Sequence, residues 1–171
     1  MVGNKTYKII GSALILVVGI YFLTQNPVVV DRTLQNRENI SLSKGDVIKP
    51  FENFNFEEGS WKAFIVTSSE DQAKLPREGK VFYSEDISIL NKIKKEWVFI
   101  YTGADVATIQ SKFLLYKDNS LIFSSKIAID KNNNGLQSIN YGWLKSKDSD
   151  SFISDCMQFK RGYSPVYYFD N

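Results

Sequence analysis

Asp130, Asn132, Asn134 and Gly135, in the stretch IDKNNNGLQSI (residues 129–139), have the spacing of the D-x-N-x-N-G motif that opens a calcium loop. Such a loop surrounds a hard cation with oxygen ligands and needs a bidentate Glu at its twelfth position. Counting from Asp130, that position is Tyr141. A single ionised carboxylate remains, with Lys131 beside it. The flanks SSKIAI and LQSINY alternate like strands, where a calcium loop has helices. The stretch is therefore predicted to turn a corner rather than to hold a metal.

The remaining candidates for chemistry are few. The chain has no histidine, which removes Ser-His and Cys-His nucleophile pairs, histidine metal sites and the usual acid–base group near neutral pH. Cys156 is the single cysteine; it has no partner for an internal disulfide and reads as a small buried apolar residue. Asp148, Asp150 and Asp155 form the densest acidic cluster after the hairpin. A carboxylate pair for glycoside chemistry is one reading, but helix caps and a solvated helix face account for all three. TGADVAT (102–108) places Gly103 and Asp105 in a loop and matches no phosphate-binding pattern. Tyr163, Tyr167, Tyr168 and Phe169 read as edge-strand packing, with an aromatic binding patch as the alternative. No catalytic, cofactor-binding or metal-binding residue is assigned, and no cofactor is expected.

Charge points the same way. The chain has 21 basic and 19 acidic residues. Lys5 and Lys8 carry the excess, leaving 19 basic (21 minus 2) against 19 acidic from Asp31 onward. A neutral domain without a Lys/Arg stripe argues against nucleic acid as a partner.

The elements that position these residues follow from hydrophobic period and turn chemistry. A three-residue loop, Asn133-Asn134-Gly135, sets Ile129 opposite Ile139 and Ile127 opposite Tyr141, with Gly135 left-handed at a G1 bulge. A two-residue turn at Asp118-Asn119 sets Tyr116 opposite Leu121 and Leu114 opposite Phe123. Both hairpins then bury one face, formed by Leu114, Tyr116, Leu121, Phe123, Ile127, Ile129, Ile139 and Tyr141. WKAFIVT (61–67) and KVFY (80–83) read as strands, as does EWVFIYT (96–102), apolar on both alternations as a doubly covered strand is. Between them SEDISILNKIKKEW has a one-sided helical period, with Ser84 as its cap. DSDSFISDCMQFKRG reads as a second helix, capped by Asp148 or Ser149 and closed by Gly162. YSPVYYF (163–169) reads as a last edge strand, because Pro165 cannot donate to a ladder.

The N-terminus reads as an address. Ile9 to Leu23 is a 15-residue run without a charge, preceded by Lys5 and Lys8. No Ala, Gly or Ser occurs between Gly19 and Ser41, so a signal-peptidase site is missing and a retained anchor is expected over a cleaved signal peptide. The positive-inside bias would place the N-terminus in the cytoplasm. Gly11, Ser12 and Gly19 would allow close helix contacts in a membrane. Asn39-Ile40-Ser41 is a glycosylation sequon, used only on a eukaryotic secretory route.

The expected architecture is α+β: an antiparallel β-sheet packed by one or two helices, preceded by a single N-terminal transmembrane helix. Its expected divisions are a cytoplasmic segment (1–8), a transmembrane signal anchor (9–24), a stalk (25–45) and an extracytoplasmic α+β domain (46–171). The expected location is the inner or plasma membrane, with the C-terminal domain periplasmic or extracellular. The expected function is non-enzymatic: a protein-binding, inhibitor/immunity or assembly module with a protein partner. The alternatives are a small anchored enzyme using carboxylate, Lys or Tyr chemistry, and a structural subunit held through its transmembrane helix. An enzyme requires a deep pocket with charge-perturbed groups, whereas a binding module requires an exposed apolar or aromatic patch.

Overall fold

The computed structural model describes residues 3–34, 41–68, 78–103, 109–130 and 133–171, with side chains of the first helix from Ile9 onward. Among these residues lie helices α1 (Gly3–Gln25), α2 (Ile87–Glu96) and α3 (Ser149–Met157). The strands are β1 (Val28–Asp31), β2 (Val47–Ile48), β3 (Trp61–Val66), β4 (Val81–Ser84), β5 (Phe99–Tyr101), β6 (Lys112–Lys117), β7 (Ser120–Ile129), β8 (Asn134–Ser138), β9 (Gly142–Ser146), β10 (Lys160–Arg161) and β11 (Val166–Phe169). Nine of them form a sheet in the order β10-β4-β3-β6-β7-β8-β9-β5-β2, antiparallel throughout. The class is therefore α+β. The other two, β1 and β11, pair in parallel as a separate ribbon.

Alternation explains the layering. On β3, Trp61, Ala63 and Ile65 point to one face and Lys62, Phe64 and Val66 to the other. The first face joins one core with Leu90 and Ile93 of α2 and Phe152 and Cys156 of α3. Phe51 and Phe56, from the loop before β3, close that core. The second face packs under the ribbon, where Val81, Leu114, Tyr116 and Phe169 are buried together. Three layers result: helices, sheet, ribbon. The doubly covered strands are β3 and β6, rather than the whole of 96–102, because Trp97 ends α2 as its C-cap and only Phe99–Tyr101 enters the sheet.

The caps are local chemistry. Asp148 caps α3, accepting from the Ser151 amide at 3.0 Å. Asp86 caps α2, accepting from the Ser88 amide at 2.8 Å, in place of the expected Ser84. Gly162 closes no helix; its amide donates to the Val81 carbonyl at 2.8 Å and extends the β10–β4 pairing.

Both hairpins depart from the expected register. Asp118 and Asn119 have positive φ, 51° and 65°, as a type I′ turn requires, and Tyr116 pairs with Leu121 as expected. A bulge follows: Leu115, not Leu114, pairs with Phe123, leaving Ile122 as the extra residue. The bulge splits the expected face. Leu114, Tyr116 and Leu121 pack under the ribbon, and Phe123, Ile127 and Ile129 join the helical core. In the second hairpin Ile129 pairs with Asn134 and Ile127 with Leu136. The loop therefore lies before Asn134, and Ile139 is 53% exposed in the next turn. Gly135 sits inside β8 at φ +153°, where a Cβ would collide with the carbonyl oxygen of Leu144. Its role is close approach of two backbones, not a left-handed turn.

The N-terminal expectation is corrected. Among the described residues no helix is long and apolar enough to cross a membrane. The expected transmembrane anchor, and with it the anchored location in an inner or plasma membrane with a periplasmic or extracellular domain, is not supported on this finding. Residues 25–45, expected to be a stalk, contain β1, which pairs in parallel with β11. The sequon residues Asn39 and Ile40 lie outside the described residues, as do Lys131, Asn132 and Asp105.

Candidate functional site

The ribbon covers part of the outer sheet face and leaves a cleft of about 780 Å³ beside it. One wall is the sheet: Lys62 and Phe64 of β3, Tyr83 of β4 and Tyr116 of β6. The other is the C-terminal segment, with Tyr163, Tyr167, Tyr168 and Phe169. No residue of β1 lines it, so the cleft lies on the side of β11 that faces away from its ribbon partner.

Tight turns and ring packing fix the aromatic side chains. Phe169 is 3% exposed; its ring meets Phe64 at 5.0 Å, edge to face, and stacks on Tyr167 at 6.1 Å. The Tyr167 hydroxyl accepts from the Ser164 amide at 3.1 Å. It fills the space next to Gly162, where a Cβ would collide with it. Tyr163 and Tyr168, by contrast, are 59% and 53% exposed. Arg161 lies over the Tyr163 ring at 5.2 Å and Arg32 over the Tyr168 ring at 5.6 Å, contacts that hold an exposed ring in place. The terminal aromatics are thus both things the sequence offered: inward-facing residues pack, outward-facing ones remain available.

Four charged residues line the cleft: Lys62, Glu85, Arg161 and Asp170. Lys62 pairs with Glu85 and also faces the Phe64 and Tyr83 rings. Arg161 donates to the Gln25 side chain at 2.8 Å and to its carbonyl at 3.4 Å; both acceptors are neutral, and no carboxylate among the described residues pairs with it. Tyr116 donates to the Asp170 carbonyl at 2.9 Å. Burial, with the nearby Asp170 and Asp31 carboxylates, pushes the Tyr116 phenol up to about 12. A phenol shifted that way is a poorer source of phenolate and a poor general base near neutral pH.

The other candidates resolve differently. Burial, then the Asp155 carboxylate, pushes the buried Cys156 thiol well above its ordinary value, which leaves it unreactive. Asp148 caps, but Asp155 departs from the expected solvated face: it is fully buried between the helices. Its Oδ1 pairs with Lys92 at 2.7 Å and accepts from Gln158 at 3.2 Å. Asp148, Asp150 and Asp155 therefore do not converge on a shared site. Among the described residues no group of three or more His, Cys, Asp or Glu is placed to hold a metal ion. Sequence reasoning flagged the C-terminal aromatics but missed Lys62, Phe64 and Tyr83, whose juxtaposition exists only once β3 pairs with β4.

Fold and site together define a class: an α+β domain with an aromatic cleft beside a strand edge. No family model, curated protein or solved structure matches this chain.

Proposed function

We propose that the protein is a non-enzymatic binding module that takes a protein partner in the aromatic cleft. The observation that carries this reading is the lining itself: rings held at fixed angles, two of them outward-facing tyrosines. Tyrosine supplies large, rigid, amphipathic contact area and is enriched where proteins meet. The rival reading, a small enzyme, requires a perturbed acid, base or nucleophile in the cleft; burial moves the Tyr116 phenol there away from such a role.

The test uses the full chain immobilised as bait, wild type beside a Tyr83→Ala/Tyr163→Ala double variant of matched thermal stability. A partner is expected to be retained by the wild type and recovered at least tenfold less by the variant. Equal recovery would remove the cleft from the binding surface, and turnover of a small substrate in the cleft would overturn the reading in favour of an enzyme.

A further inference from the structure

We propose that the free edge of β11 accepts an extended peptide of the partner as an added strand, with an acidic side chain of that peptide meeting Arg161. The inference rests on the protein-binding reading and specifies its mode.

The ladder shows which groups are free. The Val28 amide donates to the Pro165 carbonyl at 3.0 Å and the Arg32 amide to the Phe169 carbonyl at 2.8 Å. In a parallel pair, alternate residues of a strand bond to the same side. Pro165, Tyr167 and Phe169 therefore serve β1, and Val166, Tyr168 and Asp170 present their backbone groups to the cleft. Two of those carbonyls are already occupied: Val166 accepts from the Ser164 hydroxyl at 2.7 Å and Asp170 from the Tyr116 hydroxyl at 2.9 Å. Among the described residues, neither the N–H nor the C=O of Tyr168, in the middle of the edge, has a hydrogen-bond partner.

An unpaired strand edge is a template for another chain, and strand addition draws affinity from main-chain bonds and specificity from pockets for alternate side chains. Here the sheet supplies such a pocket, because Phe64 and Tyr83 line the cleft across from β11. A strand added to β11 would direct every second side chain onto those rings. Charge selects further. Lys62 is neutralised by Glu85, whereas Arg161 has neutral partners alone among the described residues. An acidic side chain would complete it.

The probe is a displayed library of random octapeptides, panned on the full chain, followed by a synthetic copy of the most enriched sequence. Enriched sequences should alternate apolar or aromatic residues and carry an acidic residue. Tyr168→Pro deletes the central edge N–H without touching the β1 ladder; Tyr168→Ala removes the ring and keeps the N–H. Affinity for the synthetic peptide should fall at least tenfold further in Tyr168→Pro than in Tyr168→Ala. Independently, Arg161→Glu should shift selection from acidic to basic octapeptides. No enrichment over an unrelated bait, or equal binding by the two Tyr168 variants, overturns strand addition. Sedimentation showing a wild-type dimer that Tyr168→Pro dissolves would overturn it in favour of a second copy of this chain. Loss of partner in Tyr83→Ala/Tyr163→Ala with no effect of Tyr168→Pro would leave the cleft reading standing and remove this one alone.

Discussion

Under the helices, Phe51, Trp97, Phe113 and Phe152 pack ring against ring with centroids 4.6 to 5.8 Å apart, each 1% exposed. Across the same sheet, the ribbon buries four side chains in its cluster and leaves an open cleft next to them. The inner face has two helices and a loop to cover it; the outer face has a two-stranded ribbon of β1 and β11, segments far apart in the chain. Stability is therefore concentrated on the inner face, and the surface with groups to spare is on the outer one. Such a division suits a binding module, because a rigid layer holds the floor of the cleft while exposed rings such as Tyr163 and Tyr168 stand at its rim.

The largest effect should come from the centre of the inner layer. Trp97→Ala removes a ring that touches Phe51, Phe113 and Phe152 at once. A loss of about 3–5 kcal/mol is expected in urea melts, the range for large aromatic truncations. Trp97→Phe sharpens the comparison. The Trp97 Nε1 is buried without a hydrogen-bond partner among the described residues, so deleting it relieves a desolvation penalty of roughly 1–3 kcal/mol that offsets part of the lost contact. Trp97→Phe should then cost far less than Trp97→Ala. Equal losses would show that the ring's packing is not what holds the inner layer.

Next in size is Gly135→Val, which tests the sheet itself beneath those helices. A side chain there meets the Leu144 carbonyl, at a φ that L residues rarely adopt. Backbone strain and overpacking together should cost about 3 kcal/mol, read as a lower urea midpoint. A loss below about 1 kcal/mol would mean that β8 and β9 do not approach as closely as Gly135 and Leu144 indicate.

Gly135 also marks where the sequence stops being legible. Asn-Gly is the strongest short hairpin signal, and it pointed to a turn at 133–135. The register was decided instead by Leu136, which is 1% exposed opposite Ile127. Asn134 is fully buried, its side chain donating to the Asp130 carbonyl at 3.1 Å; this ties off the loop from within the strand. Local chemistry read correctly where it was self-sufficient: the Asp148 cap and the Asp118-Asn119 turn need nothing beyond four residues. It failed where a partner far along the chain decides the outcome. Val28–Asp31 has the residue types of a strand, but its strand status depends on β11, 138 positions away at Val28↔Val166. The bulge at Ile122 leaves no trace in the alternation of LIFSSKIAID, because both faces of β6 are apolar and either would satisfy burial. The candidate site was half visible for the same reason. Its C-terminal rings stand together in sequence, while its floor is assembled from β3, β4 and β6.

The smallest effect belongs to the ribbon's polar clamp, and it reports directly on how weakly the outer layer is held. Asp31 pairs with Lys112 across the ribbon–sheet boundary and accepts from the Thr33 amide at 3.0 Å and hydroxyl at 2.7 Å. Burial alone would raise the Asp31 carboxyl; the bonds from Lys112 and Thr33 outweigh it and hold the group below its ordinary value of 3.8. A carboxyl lowered on folding stabilises the folded state fully at pH values above its unfolded pKa, and that contribution disappears as pH falls through the folded pKa. Asp31→Asn keeps an oxygen for Thr33 and loses the charge facing Lys112. Because the pair is partly exposed, the variant should lose less than about 1 kcal/mol near pH 7. The gap between wild type and variant should stay constant down to about pH 5 and close as pH falls below about 4. Amide exchange should locate the loss, with faster exchange in the variant at Val30 and Phe169 and no change at Phe113 under the helices. A gap that persists at pH 2, or faster exchange at Phe113 as well, would mean that the two faces of the sheet are not stabilised separately.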